Sequence, residues 1–252
     1  MQIAKKKLSQ NFLKNSFFLK KIAKNLAIKN DDIIIEIGGG HGELTKFLLK
    51  AKQVFTYEID KNLAILLKEK FSKYSNVEVI QQNFLLADLT KFNHQYKLVG
   101  NIPYKITGLI LRKILTLENF PKIFILTLQK EVGEKILKQN NFLSFWLKTW
   151  GEVEKIDFIK NKYFVPQPKI DSLILKINFY KKPLVNEPEK FAQFLKQIFH
   201  HPKKIIKNNI NLPKEFNYLS NLRPHQLSFK DILALYNFNF QNSRDAKTEF
   251  YN

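Results

Sequence analysis

Two short segments hold residues whose types and spacing could do chemistry. The tetrapeptide Asn101-Ile102-Pro103-Tyr104 sets an amide, two backbone carbonyls beside a proline, and an aromatic ring in consecutive positions. An exocyclic adenine nitrogen is a poor nucleophile because its lone pair is delocalised into the ring. Hydrogen bonds from that amino group to the Asn101 side-chain oxygen and to a backbone carbonyl of Ile102 or Pro103 favour a tetrahedral nitrogen. The lone pair then faces an electrophilic methyl group for in-line displacement. Pro103 stiffens the loop and Tyr104 offers a face on which a base can stack. No strong general base is required, because the cationic product nitrogen is acidic. In isolation the tetrapeptide also fits an ordinary turn.

The second segment is Glu36-Ile37-Gly38-Gly39-Gly40-His41-Gly42. Glycines here permit a tight turn and close approach of a ligand to the backbone. A dinucleotide fingerprint, G-x-G-x-x-G, fails because Glu43 occupies the last glycine position, and the Gly-Lys-Ser/Thr of a phosphate loop is absent. Glu58 follows about twenty residues beyond Gly38, where a carboxylate can accept both hydroxyls of a ribose. Its neighbour Asp60 suits the N-cap of a following helix. The glycine turn and the acid together point to an adenosine ligand. S-adenosylmethionine fits best, since it carries no phosphate and the turn holds neither lysine nor arginine.

Elements able to position these groups follow from the hydrophobic pattern. Strands are expected at residues 33–37, 53–59, 77–80, 97–99 and 123–128. Helical spacing appears at residues 43–50, 62–74, 106–117 and 131–138. Such alternation predicts an α/β, Rossmann-like fold: a mostly parallel sheet with helices on both faces. Residues 153–159 and 172–179 read as antiparallel strands closing the sheet edge, separated by the stiff segment Phe164-Val165-Pro166-Gln167-Pro168. Lys181-Lys182-Pro183 marks a composition shift. Beyond it only helical patterns remain, at residues 188–199, 203–210 and 229–236, and residues 241–252 read as a loose polar tail. The expected domains are therefore residues 1–181, which carry both chemical segments, and a small all-helical domain at 182–252.

Composition narrows the partners. The 252-residue chain carries 42 basic against 22 acidic residues, a formal charge of +20. A compositional bias towards Lys, Asn, Ile and Phe explains part of this, but not the shortage of acids. Such self-repulsion suits a polyanionic partner, and nucleic acid fits better than a membrane because no basic amphipathic helix with Trp anchors stands out. The absence of cysteine excludes disulfides, zinc thiolates and thiol nucleophiles. No apolar run is long enough to span a bilayer, and the basic N-terminus lacks the apolar stretch of a secretory signal. A soluble, cytoplasmic protein is expected.

The motifs together resemble one family. Leu8-Ser9-Gln10-Asn11-Phe12-Leu13, Gly38 to Gly42, Glu58, Asn101 to Tyr104, Gln129-Lys130-Glu131-Val132 and Phe164-Val165-Pro166-Gln167-Pro168-Lys169-Ile170-Asp171-Ser172 are similar to those of the ribosomal RNA adenine N6,N6-dimethyltransferases. The KsgA-type small-subunit branch is the nearest. The resemblance implies methyl transfer from S-adenosylmethionine, without a metal, to the N6 groups of two adjacent adenines near the 3′ end of small-subunit (16S) rRNA. It further implies that Asn11, Leu13, Gly38, Gly40, Glu58, Ile59, Asn83, Phe84 and Asn101 hold the cofactor. Phe164 is expected to stack on the flipped-out adenine opposite Tyr104. The helical end is expected to help grip rRNA or a partly assembled small subunit, with the enzyme a monomer.

Several positions depart from the family pattern. Asn83 stands where an Asp is usual, Ser9 replaces Gly, Asn15 replaces Asp, and His200-His201-Pro202-Lys203-Lys204 replaces a cluster of arginines. An amide at position 83 can accept the adenine amino proton only without charge assistance. Two other readings compete. A large-subunit (23S) rRNA adenine methyltransferase of the macrolide-resistance type shares the Asn-Ile-Pro-Tyr form and the Ser9-Gln10 pair. Gln129 to Val132 and Leu222-Arg223-Pro224-His225-Gln226-Leu227-Ser228 favour the small-subunit branch instead. A non-catalytic assembly factor that kept the fold is the second alternative, motivated by Asn83.

Overall fold

The computed structural model describes residues 10–92 and 96–248, with side chains described as far as Asn239. Leu8 and Ser9 of the N-terminal motif lie outside the described residues. In chain order the elements are β1 (Phe12–Leu13), α1 (Ser16–Asn25), β2 (Ile33–Ile37), β3 (Gln53–Glu58), α2 (Lys61–Lys70), β4 (Val77–Gln81), β5 (Tyr96–Asn101) and α3 (Thr107–Leu115). They continue with β6 (Ile123–Gln129), α4 (Lys130–Lys138), α5 (Phe142–Trp150), β7 (Gly151–Ile159), β8 (Phe164–Val165), β9 (Ser172–Phe179), α6 (Pro188–Ile198) and α7 (Phe229–Thr248).

Seven strands form one sheet in the order β4-β3-β2-β5-β6-β9-β7. The first five are parallel, and β9 runs antiparallel to both β6 and β7. Continuous apolar runs such as Ile33-Ile34-Ile35 suit parallel strands covered on both faces. Ile34, Ile35, Val54, Leu98, Phe124 and Leu126 are accordingly buried. β1 and β8 make a separate two-stranded ladder, with Leu13 opposite Phe164.

Side-chain caps begin α1 and α2. Asn15 accepts a hydrogen bond from the Phe17 N–H at 2.9 Å, so Asn serves as the α1 cap where the family pattern has Asp. Asp60 caps α2 through the N–H groups of Asn62 and Leu63, as its position suggests. Away from the chemical segments, Lys97 Nζ reaches Asp32 Oδ2 at 2.6 Å and the Ala27 carbonyl at 2.8 Å. This buried pair ties β5 to the start of β2. Removing one partner alone would strand a buried charge, at a cost of about 3–5 kcal/mol.

Three expectations need correction, and two helices match none. Residues 43–50 form a 3-10 turn, Thr45–Phe47, rather than a helix. The Thr45 hydroxyl is drawn inward to Glu36, and the bonds of Phe47 to Leu44 and Leu48 to Thr45 are i to i+3. Residues 203–210 likewise hold only the 3-10 turn Ile206–Asn208, with Ile206 as its buried residue. Residues 241–248, read as a loose tail, continue α7, because nothing in that stretch breaks a helix; 249–252 lie outside the described residues. α1 and α5 are the helices without a matching expectation from the sequence pattern, although both present apolar faces.

The chain divides into two compact units, residues up to Gly133 with Gly151–Lys182, and Glu134–Trp150 with residues from Pro183 onward. A boundary at 181/182 places Glu134–Trp150 in the first unit, whereas they fall in the second. Within that unit Phe145 of α5 packs on Phe199 and Phe229, and Phe191 of α6 packs on Phe229 and Tyr236 of α7. Such pairings between distant segments leave no local trace in the sequence.

Candidate active site

Strand order reverses between β2 and β5, since the chain leaves β2 towards β3 and β4 and returns to β5 on the other side. Ligands of open α/β sheets bind beyond the carboxyl ends of strands at such a point. Register sets Ile37 opposite Gly100, so Gly38 and Asn101 emerge side by side. A cavity of about 240 Å³ opens there.

Gly38, Gly40 and Gly42 all have φ between 56° and 78°, a left-handed conformation costly for residues with a Cβ. Nothing lies within 4 Å of the position a Gly38 Cβ would take, and Gly38 lines the cavity. The backbone is therefore bare on the side a ligand would approach. At Gly40 a Cβ would sit 3.0 Å from the Phe12 ring.

Glu58 ends β3 and is buried. Its Oε2 accepts the Gly40 N–H and its Oε1 accepts the Asp60 N–H, each at 2.9 Å. The carboxylate thus fixes the glycine turn from below while lining the cavity. Burial raises its pKa, opposed by the hydrogen bonds from Asp60 and Gly40. Both oxygens keep lone pairs for further donors.

Glu36, one strand away, is wholly buried, and burial pushes its pKa up to about 7. Hydrogen bonds from Thr45 at 2.7 Å and Thr56 at 2.9 Å oppose that rise, and the nearby Glu58 adds to it. A smaller hollow of about 30 Å³ touches Glu36, Leu13, His41 and Asn101.

Asn101 ends β5. Its Nδ2 donates to the Asn11 carbonyl at 2.8 Å, which fixes the amide's orientation and leaves Oδ1 as the acceptor for a ligand. The Pro103 carbonyl accepts the Ile106 N–H at 3.0 Å within the 3-10 turn Tyr104–Ile106. Of the two carbonyls considered for the amino group, that of Pro103 thus already accepts one hydrogen bond and keeps a second lone pair. The Tyr104 hydroxyl lies 2.6 Å from the Ser172 hydroxyl at the start of β9. Burial raises the Tyr104 pKa, partly opposed by that hydrogen bond.

The structure brings Asn11, Gly38, Gly40, Glu58, Ile59, Asn83, Phe84, Asn101 and Pro103 to the walls of one cavity. Asn83 Oδ1 also accepts the Leu85 N–H at 3.0 Å, capping the 3-10 turn Phe84–Leu86. Leu13, Ile102, Tyr104 and Phe164 do not line that cavity. Leu13 and Ile102 are buried, and Phe164, 2 % exposed, belongs to the core cluster with Leu13. Sequence reasoning passed over Tyr57, Gln82, Lys105, Ile106 and Ile110, which also line the cavity. Ile106 and Ile110 carry a helical i, i+4 signal, and Tyr57 and Gln82 sit at strand ends where the same topology argument applies. Among the described residues no group of three or more His, Cys, Asp or Glu could hold a metal ion. No described helix is long and apolar enough to cross a membrane.

Known proteins share both sequence and fold. A Ribosomal RNA small subunit methyltransferase A from Thermotoga neapolitana is 38% identical over 241 residues, covering 92% of this chain and 90% of its own length. The crystal structure of a dimethyladenosine transferase from Plasmodium falciparum is similar with a TM-score of 0.82 at 26% identity, over 92% of this chain and 98% of that one. The 23S rRNA methyltransferase ErmE is similar with a TM-score of 0.79 at 26% identity, over 90% and 98%. Residues 1–231 match the family described as Ribosomal RNA adenine dimethylase, and the chain belongs to that family.

Proposed function

We propose that this protein transfers methyl groups from S-adenosylmethionine to the N6 amino groups of two adjacent adenines near the 3′ end of small-subunit rRNA, during ribosome biogenesis. The observation that carries the reading is the side-by-side emergence of Gly38 and Asn101 over one cavity, with Glu58 on its wall. Bare backbone at Gly38, a buried carboxylate at Glu58 and the side-chain amide of Asn83 suit an adenosine without phosphates. Bound there, the cofactor supplies a methyl group on a cationic sulfur.

Asn101 Oδ1 and a backbone carbonyl of Ile102 or Pro103 accept the two amino protons of the target adenine, so that its nitrogen lone pair faces the methyl group. Tyr104 provides one face for the base. Phe164 would need to turn out of the core to provide the other. The proton released at each transfer leaves from the cationic product nitrogen to water. These hydrogen bonds act in the transition state more than in the ground state, which is what raises the rate of transfer.

The choice of ribosomal subunit rests on the relatives, because the two solved structures, one a dimethyladenosine transferase and one a 23S enzyme, are nearly equal in fold similarity. The 38% identical relative is named for the small subunit. The cytoplasm is then the expected location. Purified protein, labelled S-adenosylmethionine and small-subunit particles lacking the modification, read by mass spectrometry, test the assignment. Dimethyladenosine in small-subunit rRNA is expected, and Asn101→Ala should abolish it while leaving RNA affinity nearly unchanged. Labelling confined to large-subunit RNA would sink the choice of substrate, and full activity of Asn101→Ala the mechanism.

A further inference from the structure

The tetrapeptide needs its aromatic ring held at a fixed angle, and nothing within the tetrapeptide does that. Tyr104 sits in a one-turn 3-10 segment and is half-buried. The ring is restrained from its far end, where its hydroxyl meets Ser172 Oγ at 2.6 Å. Ser172 is fully buried and is clamped in the sheet, opposite Gln129 of β6 and Ile159 of β7. A polar side chain at such a position is costly unless it is satisfied.

The residues around Ser172 lead to the second aromatic. The carbonyl of Asp171 accepts the Lys130 N–H at 3.0 Å, and its Oδ1 accepts the Asn161 N–H at 2.9 Å. Asn161 Nδ2 donates to the Pro168 carbonyl at 3.1 Å, and the 3-10 turn Asn161–Tyr163 leads directly into Phe164. One short segment, Asp171-Ser172, thus anchors Tyr104 directly and the loop bearing Phe164 through Asn161.

We propose that Ser172 is a positioning residue for methyl transfer: its hydroxyl fixes the Tyr104 ring at the angle needed to stack the target adenine in line with the methyl group. The proposal rests on the reading of Tyr104 as a base platform. Ser172 lines neither the larger cavity nor the smaller one, so it acts through Tyr104 and not on the cofactor.

A double-mutant cycle tests this, because Tyr104→Phe and Ser172→Ala remove the same hydrogen bond from opposite ends while the ring stays. Single-turnover methyl transfer to small-subunit rRNA is measured for both variants and for the pair. Each single change is expected to slow transfer about 5- to 10-fold, the worth of one hydrogen bond, and the pair no further. Affinity for S-adenosylmethionine should hold within about 2-fold of the wild type. If Ser172→Ala does not fold by its melting curve, Ser172→Cys replaces it in the same cycle, since a thiol bonds only weakly. Losses that multiply in the pair, to about 25- to 100-fold, mean a purely structural role and overturn the proposal. So does a single Ser172 variant as fast as the wild type. A wild-type protein that transfers no methyl group to the RNA overturns the functional reading, and the proposal with it.

Discussion

Glu58→Gln is the sharpest test of the cofactor end, because it changes no volume and only one atom's chemistry. In the native turn both carboxylate oxygens accept backbone N–H groups, from Gly40 and from Asp60, each at 2.9 Å. A glutamine can present only one oxygen, so its amide nitrogen must face one of those N–H groups, donor against donor. Whichever way the amide turns, one backbone bond is lost and the other loses its charge assistance, and on the proposed reading the ribose hydroxyls meet a neutral group in place of a carboxylate. A hydrogen bond to a charged group is worth about 1.5–3 kcal/mol, and a partial re-solvation of the turn offsets some of the rest. Cofactor affinity should then fall by about 1.5–3 kcal/mol, roughly 10- to 150-fold. Titration calorimetry with S-adenosylmethionine reads this directly. A pH series adds a second signature. Burial raises the Glu58 pKa, and on the proposed reading it is the ionised form that would accept the ribose. Wild-type affinity should therefore decline on acidification at a higher pH than for an exposed glutamate, and the Gln variant should lose that dependence. Binding by the Gln variant within about 3-fold of wild type, at neutral pH, would refute the assignment of Glu58 as the ribose clamp.

Three further outcomes are expected. Glu36, with its pKa pushed up from 4.5 to about 7, binds a proton more tightly folded than unfolded. Its contribution to stability is whole below pH 4.5 and is lost as pH rises through about 7, some 3 kcal/mol in all. Urea titrations of Glu36→Gln should lack that component, and identical pH profiles for variant and wild type would count against the buried acid. Asn83→Asp restores a charged acceptor that can still cap Leu85, so S-adenosylmethionine should bind about 3- to 10-fold tighter; weaker binding would deny position 83 a place at the adenine. Lys105 is exposed, lines the cavity and directly follows Tyr104. Lys105→Ala should flatten the dependence of log RNA affinity on log salt by about 0.7–0.9 while cofactor affinity holds, and an unchanged slope would remove it from the phosphate path.

What the sequence revealed, and what it hid, divides by the range of the interaction. The parallel strands were legible because burial on both faces writes a continuous apolar run, as in Ile33 to Ile35 and Phe124 to Leu126. Residues at strand ends were legible for the same reason. Once β2, β3 and β5 are placed, Gly38, Glu58 and Asn101 follow from topology alone. The helix expected after the glycine turn was wrong because its spacing is shared by a 3-10 turn, and the deciding contact, Thr45 to Glu36, spans nine residues. Glu134–Trp150 could not be assigned to the second unit from local pattern, since the partners of Phe145 are more than fifty residues away.

Ser172 belongs to the same class of hidden residue, because its motif does not show its partner. It closes the segment beginning at Phe164, which the family resemblance marks without implying a role for Ser172 itself. Its partner is 68 residues away, and the bond between them is made across a sheet, where hydrophobic periodicity says nothing of polar pairing. A base-modifying site must fix two things: where the electrophile sits and how the base is turned. On the proposed reading the glycine turn and Glu58 meet the first need from local sequence, because strand ends and turns are local. The second falls to an aromatic ring, whose angle has to be set by something rigid outside its own loop. Tyr104 meets β9 at Ser172, so the residue proposed to complete the tetrapeptide lies on an antiparallel strand far from it in the chain.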